Sequence, residues 1–196
     1  MTPLSFDFIM DPHIPLEPSP WVRRFAPLIP VGGDVLDLAC GSGRHARLLA
    51  ALGHRVEAVD REDGSLAALS GVDGIVARQA DIEGGPWPYF GCAFEGIVVT
   101  NFLHRPLLPQ LLATLAEGGV LIYETFMVGN ERFGKPENPA HLLRTGELLE
   151  VARQRHLTVV AFEQGEVASP WPAVVQRLCA IRGRHFRLPE SPGPDV

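Results

Sequence analysis

The chain has 196 residues, 46% of them hydrophobic, and a formal net charge of −6. That is enough apolar material for one domain with a real core and too much for a disordered chain. The acidic balance argues against a broad electrostatic footprint for nucleic acid, so none is expected as a partner. Three widely spaced cysteines, Cys40, Cys92 and Cys179, do not suggest a disulfide framework. Met1 to Pro20 has neither the basic start nor the apolar run of a secretory signal, and no stretch reaches membrane-spanning length. A soluble, cytoplasmic protein is expected.

Residues 1–19 are proline-rich and aperiodic and read as an N-terminal arm. Ser19-Pro20 then marks a helix start, with serine as the cap and proline at the first helical position. Trp21, Val22, Phe25 and Leu28 follow at helical spacing, and Pro30 with Gly32-Gly33 ends the element. An alternation of strand and helix comes next. Strands are predicted at 34–39, 55–59, 74–79, 94–100 and 120–125, with helices at 44–52, 64–69 and 106–116 between them. After a long loop, 126–141, a helix is expected over 145–155 with Thr145 as its cap. Segments 157–162 and 174–181 read as strands with no helix between them, hence an antiparallel hairpin. The tail from 187 carries three prolines and reads as loose.

Strands alternating with helices imply an α/β fold: a Rossmann-like, doubly wound, mostly parallel seven-stranded sheet with a C-terminal antiparallel hairpin. Residues 20–186 form its one domain.

The first strand runs directly into Gly41-Ser42-Gly43-Arg44-His45-Ala46. This turn fits the G-x-G-x-x-G/A dinucleotide pattern, so NAD(P)-dependent oxidoreductase chemistry stays open on the pattern alone. Charge separates it from the alternative. A dinucleotide turn receives a pyrophosphate, and the carboxylate of Asp37 near that turn repels one. S-adenosylmethionine has no phosphate but carries an ammonium and a sulfonium, which suit an acid there. Asp60 ends the second strand, where an acid accepts both ribose hydroxyls of an adenosine-containing cofactor. Asp81 follows the third strand and can accept from an adenine amino group, with Ile82 covering a face of the ring.

With these residues in place, the sequence resembles the class I S-adenosylmethionine-dependent methyltransferases. Asp37-Leu38-Ala39-Cys40-Gly41-Ser42-Gly43 is similar to their first motif, Asp60 to the ribose acid and Asp81-Ile82 to the adenine pair. Ala39 departs from the glycine many members have. Within the class, Cys40 to Ala46 and the short chain resemble the small bacterial tellurite-resistance-type group. The resemblance implies S-adenosyl-L-methionine as methyl donor and S-adenosyl-L-homocysteine as product. It places Asp37, Ala39, Cys40, Gly41, Ser42, Gly43, Arg44, His45, Asp60, Arg61, Asp81, Ile82, Asn101 and Phe102 around the cofactor. The Asn/Asp-Pro-Pro-Tyr/Phe tetrad of members that methylate base amines or glutamine is absent from Thr100 to Pro106. A small-molecule acceptor is therefore expected.

Displacement at a sulfonium mainly requires positioning and exclusion of water, and a base only where the nucleophile is protonated. His104 and Tyr123 are the candidate catalytic groups. Arg105, Glu124, Arg132 and Lys135 are the candidate substrate contacts, the last two on the long loop, which reads as a lid. Each has a plain alternative as a cap, rim charge or surface-loop residue. The scattered histidines and cysteines have no ligand spacing, so no metal is expected. A protein that binds the cofactor without catalysis remains a third possibility.

Overall fold

The computed structural model describes residues 17–183. Most of the expected arm and the expected tail 187–196 lie outside the described residues. The element order is α1 (Pro20–Phe25), β1 (Asp34–Leu38), α2 (Arg44–Ala51), β2 (Arg55–Asp60), α3 (Asp63–Leu66), β3 (Ile75–Gln79), β4 (Phe94–Thr100), α4 (Leu108–Ala113), β5 (Leu115–Phe126), α5 (Glu147–Gln154), β6 (Leu157–Val167) and β7 (Ala173–Arg182). The seven strands form one sheet in the order β3-β2-β1-β4-β5-β7-β6. β1 to β5 are parallel, and β7 runs antiparallel to both β5 and β6.

Alternation along each inner strand feeds two cores, one on each face of the sheet. Leu36, Leu38, Ile97, Val99, Leu121 and Tyr123 point to the face covered by α4 and α5. Val35, Val98, Val120 and Ile122 point to the other face, where they meet Trp21, Val22 and Phe25 of α1 and Ala46 and Leu49 of α2. Ser19 caps α1 as its sequence suggests, its hydroxyl accepting from Trp21 N–H at 3.1 Å.

Three elements differ from the sequence expectations. The helix expected at 106–116 is a 3-10 turn at Arg105–Leu107 followed by the short α4. Leu115 and Ala116 belong to β5 instead, because Leu115 pairs with Phe94 and the ladder resumes at Gly96–Val120 across an irregularity that absorbs Gly118-Gly119. The cap of α5 is Gly146 in the left-handed region rather than Thr145, since the Glu147 carboxylate itself takes the Arg144 N–H at 2.8 Å and closes that turn. The hairpin is also longer than its apolar runs: β6 continues to Val167, pairing with Ala173.

Strand order reverses between β1 and β4, so the loops after these two strands diverge and open a crevice at their carboxyl ends.

Candidate functional site

A cleft of about 490 Å³ lies in that crevice. Ala39 and Gly41 come from the turn after β1, Asp60 and Arg61 from the end of β2, Asp81 and Ile82 from the loop after β3, and Asn101 and Phe102 from the end of β4. Eight residues singled out in the sequence thus share one cavity. Glu62, Ser65, Glu83 and His141 also line it. His141 arrives from a remote loop, positioned by its ring against Leu103 O at 3.4 Å, and no local pattern marks it.

The turn is built on three residues in the left-handed region that favours glycine, Ala39 at φ 53°, Gly41 at φ 53° and Gly43 at φ 78°. A Cβ at Gly43 would lie 2.3 Å from the Leu69 side chain, so that position admits no other residue without displacing Leu69. Ala39 tolerates the conformation at a cost, the kind of strain that collects at ligand sites.

The acids behave differently from one another. Asp60 Oδ2 accepts the Gly41 N–H at 2.8 Å, and its Oδ1 accepts the Glu62 N–H at 3.0 Å. A carboxylate therefore already occupies the turn amide that a dinucleotide site would offer to a pyrophosphate. Two of roughly four acceptor positions on that carboxylate are used, so it keeps capacity for two hydroxyl donors. Asp81 Oδ1 takes the Glu83 and Gly84 N–H groups, each at 3.0 Å, and these bonds hold its carboxyl below the usual range.

Asp37 is a correction. It is 1% exposed, lines neither this cleft nor its neighbour, and receives the Ala46 N–H from beneath the turn. Its Oδ2 is buried without a hydrogen-bond partner. The carboxylate seated on the Gly41 amide is that of Asp60, and Asp37 supports the turn from below.

His45 also lies under the turn, 1% exposed. Ser19 N–H donates to Nε2 at 3.1 Å, so the neutral ring carries its proton on Nδ1, toward Thr100 Oγ1 at 3.3 Å. It joins α1 to β4 and does not reach the cleft. Arg44 turns away as well, its Nη1 donating to the Glu17 carbonyl at 3.3 Å. Cys40 is packed at 8% exposure, and burial pushes its thiol well above the usual range, which removes it as a nucleophile. Ser42 is exposed and lines neither of the two clefts.

These buried groups make a pH prediction. Burial raises Asp37 to about 7, so the stability linked to it is full below about 4 and is lost as pH rises through 7. Burial lowers His45 to about 3, so its contribution is full above about 6.5 and is lost as pH falls toward 3. Between about pH 4 and 6.5 the two slopes oppose each other. Asp37→Asn leaves the His45 slope alone, so urea unfolding of that variant should weaken faster on acidification than wild type, by up to about 1.4 kcal/mol per pH unit. Parallel profiles for the two proteins would refute these assignments.

A second cleft of about 200 Å³ adjoins the first, with Asn101 in the walls of both. Glu124 at the end of β5, Arg177 of β7, Pro18 to Pro20 and the β6–β7 connection around Trp171 form it. Glu124 Oε2 receives the Ser19 hydroxyl at 3.0 Å and lies 2.8 Å from Arg177 Nε. Of the four substrate-side candidates, only Glu124 stands here.

The others are placed elsewhere. Arg105 grips Glu147 with two nitrogens at 2.7 and 2.9 Å and also donates to the Ala140 and Leu142 carbonyls, so it anchors a loop. Tyr123 is 1% exposed and its hydroxyl donates to Phe102 O at 2.9 Å; it is a core residue with its phenol pushed up by burial. His104 lies outside the lining of the first cleft, 3.9 Å from Glu83, which lines it and is 3.6 Å from Arg61. Arg132 pairs with Glu166, and Lys135 lines neither cleft. The 126–141 loop does not hang free as a lid: Asn130 is buried and accepts the Val174 N–H at 3.0 Å, and Val128 N–H reaches Leu143 O.

Residues 26–86 match the model of the TehB family, described as tellurite resistance protein TehB. Over 105 residues the chain is 35% identical to protein-L-isoaspartate O-methyltransferase of Chlorobaculum tepidum, covering 51% of this chain and 48% of that one. The chain thus spans about half the length of that curated relative. The structure superposes on TehB of Haemophilus influenzae with a TM-score of 0.68 at 21% identity, covering 83% of this chain and 61% of that one. It matches a TehB-like SAM-dependent methyltransferase of Corynebacterium glutamicum with a TM-score of 0.61 at 19% identity, over 83% and 87% of the two chains. The chain has the class I S-adenosylmethionine-dependent methyltransferase fold. It also matches a SAM-dependent methyltransferase of Methanosarcina mazei with a TM-score of 0.65 at 15% identity, over 85% and 98% of the two chains. Among the described residues, no helix is long and apolar enough to cross a membrane.

Proposed function

We propose that this protein is an S-adenosylmethionine-dependent methyltransferase of the cytoplasm, with residues 20–186 as its domain, acting on a small-molecule acceptor. The observation that carries this reading is Asp60, seated on the Gly41 amide at 2.8 Å in the crevice where the strand order reverses. It supplies acceptors for a ribose and removes the donor a pyrophosphate would need. The oxidoreductase alternative loses its site by the same bond. Ile82 and Phe102 offer apolar surface for an adenine, and Asp81 offers an acceptor at its edge. When bound there, the cofactor supplies an electrophilic methyl group on a positively charged sulfur. The protein's part is then to hold the acceptor in line and keep water away.

The methyltransferase relatives support the donor, and the TehB description says nothing that fixes the acceptor in this chain. Glu124, on the far side of Asn101, is the group we assign to the acceptor side. A thermal-shift panel tests the donor: S-adenosylmethionine and S-adenosylhomocysteine should each raise Tm, while NAD and NADP should not. A shift with NAD or NADP alone would overturn the reading.

A further inference from the structure

We propose that the second cleft binds a small, neutral, monocyclic aromatic alcohol of the phenol type, and that Glu124 receives its hydroxyl proton. This rests on the neighbouring cleft being the methyl-donor site.

Size limits the occupant first. About 200 Å³ lies below the roughly 300–1,000 Å³ typical of drug-sized ligands, which suits a single ring. The walls come next. Phe126, Trp171, Pro170, Val167 and Val175 give the cleft flat apolar surfaces, which favour an arene.

Charge then decides between an anion, a cation and a neutral molecule. Two carboxylate residues, Glu17 and Glu124, and two guanidinium residues, Arg44 and Arg177, line the cleft. Arg177 is already engaged by Glu124 at 2.8 Å and by Glu163 at 3.4 Å. Arg44 already donates to the Glu17 carbonyl at 3.3 Å, and an anion at Arg177 would have to displace Glu124 while facing a second acid. A cation would have to compete with Arg177 for Glu124. Either exchange breaks an ion pair whose side chains are only 18% and 12% exposed, a cost that a neutral hydrogen-bond donor does not incur.

The acid itself selects the donor type. Glu124 is 9% exposed, accepts the Ser19 hydroxyl at 3.0 Å and lies within ion-pair distance of Arg177. Its backbone carbonyl accepts the Asn101 N–H at 2.9 Å, which ties it to the residue shared by both clefts. Asn101 holds a left-handed conformation at φ 54° where the two clefts meet. A thiol ionises close to neutral pH unaided, and an amine attacks through its free lone pair. A hydroxyl near pKa 10 gains most from a neighbouring carboxylate. In the step, the hydroxyl oxygen bonds to the methyl carbon and the carbon–sulfur bond breaks, its electron pair remaining on sulfur. The hydroxyl proton passes to Glu124 and then to solvent.

The test uses ring probes of similar size: p-cresol, benzoate and benzylammonium, with selenite as an inorganic oxyanion. Each is titrated calorimetrically into the protein saturated with S-adenosylhomocysteine. We expect p-cresol to bind at least about tenfold more tightly than the other three and to lose at least about tenfold in Trp171→Ala, a change in a connecting loop. With S-adenosylmethionine, p-cresol should yield p-methylanisole, and Glu124→Gln should lower kcat by about hundredfold or more with KM nearly unchanged. Tighter binding of benzoate, benzylammonium or selenite, p-cresol binding indifferent to Trp171→Ala, or wild-type kcat in Glu124→Gln would overturn the proposal. If S-adenosylhomocysteine fails to bind, the donor-site reading fails separately, and p-cresol titration of the free protein still tests the cleft.

Discussion

Asp60→Ala should weaken S-adenosylhomocysteine binding by about hundredfold or more while leaving the protein folded. Hydrogen bonds to a charged group contribute about 1.5–3 kcal/mol each, and the two ribose hydroxyls would both be lost. The substitution also frees the Gly41 and Glu62 amides, which Asp60 now satisfies at 2.8 and 3.0 Å. The turn then loses its shape as well as its acceptor. Asp60→Asn keeps the size and one acceptor oxygen but removes the charge, so it should fall between wild type and alanine. An affinity within about twofold of wild type in a folded Asp60→Ala variant would detach Asp60 from the ribose.

The largest stability effect is expected from Arg105→Ala, a loss of about 2–3 kcal/mol. Glu147 is 7% exposed and shares its two oxygens among Arg105, the Arg144 amide and Arg144 Nε. Removing Arg105 leaves a buried carboxylate short of its main partner. That change usually costs about 3–5 kcal/mol, reduced here because Arg105 is itself about a third exposed and Arg144 remains. Scanning calorimetry should show Tm lower by about 5–10 °C for a chain of this size. Burial alone would raise the Glu147 carboxyl, yet the bonds from Arg105 and Arg144 outweigh it and hold the group at about 2. The stability it contributes is full above about 4.5 and is lost as pH falls toward 2, so this acid-dependent loss should shrink in the variant. Cofactor affinity should fall severalfold too, because Arg105 anchors the Ala140–Leu142 stretch that carries His141 into the cleft. A Tm within about 1 °C of wild type would contradict the anchoring role.

The sheet and the donor cleft were legible in the sequence for a physical reason. Parallel inner strands are buried on both faces and appear as short apolar runs, and their carboxyl ends are where ligand groups must stand. Asp60, Asn101 and Phe102 each stand at the end of such a run, while Asp81 and Ile82 follow the exposed edge strand β3, whose pattern is weaker. Residues set by tertiary contact were not legible. His141, Glu83 and Trp171 reach the clefts from connections without periodicity. Arg105 and Tyr123 had suitable chemistry at suitable strand ends, but one is engaged by Glu147 and the other is turned into the core. Asp37 shows the limit of charge arguments made without depth. An acid four residues before the first glycine suits the cofactor's cations by its place near the turn; it lies beneath the turn on the Ala46 amide, while Asp60 on the next strand faces the Gly41 amide. His45 was grouped with the turn by sequence adjacency, yet helix geometry directs it inward to Ser19 and Thr100.

The central claim is that the cleft under Asp60 accepts a nucleoside cofactor without a pyrophosphate. Isothermal titration of the full chain with S-adenosylhomocysteine and, separately, with NAD tests it most directly. The account predicts saturable one-to-one binding of S-adenosylhomocysteine and no saturable binding of NAD; saturable NAD binding with none of S-adenosylhomocysteine would contradict it.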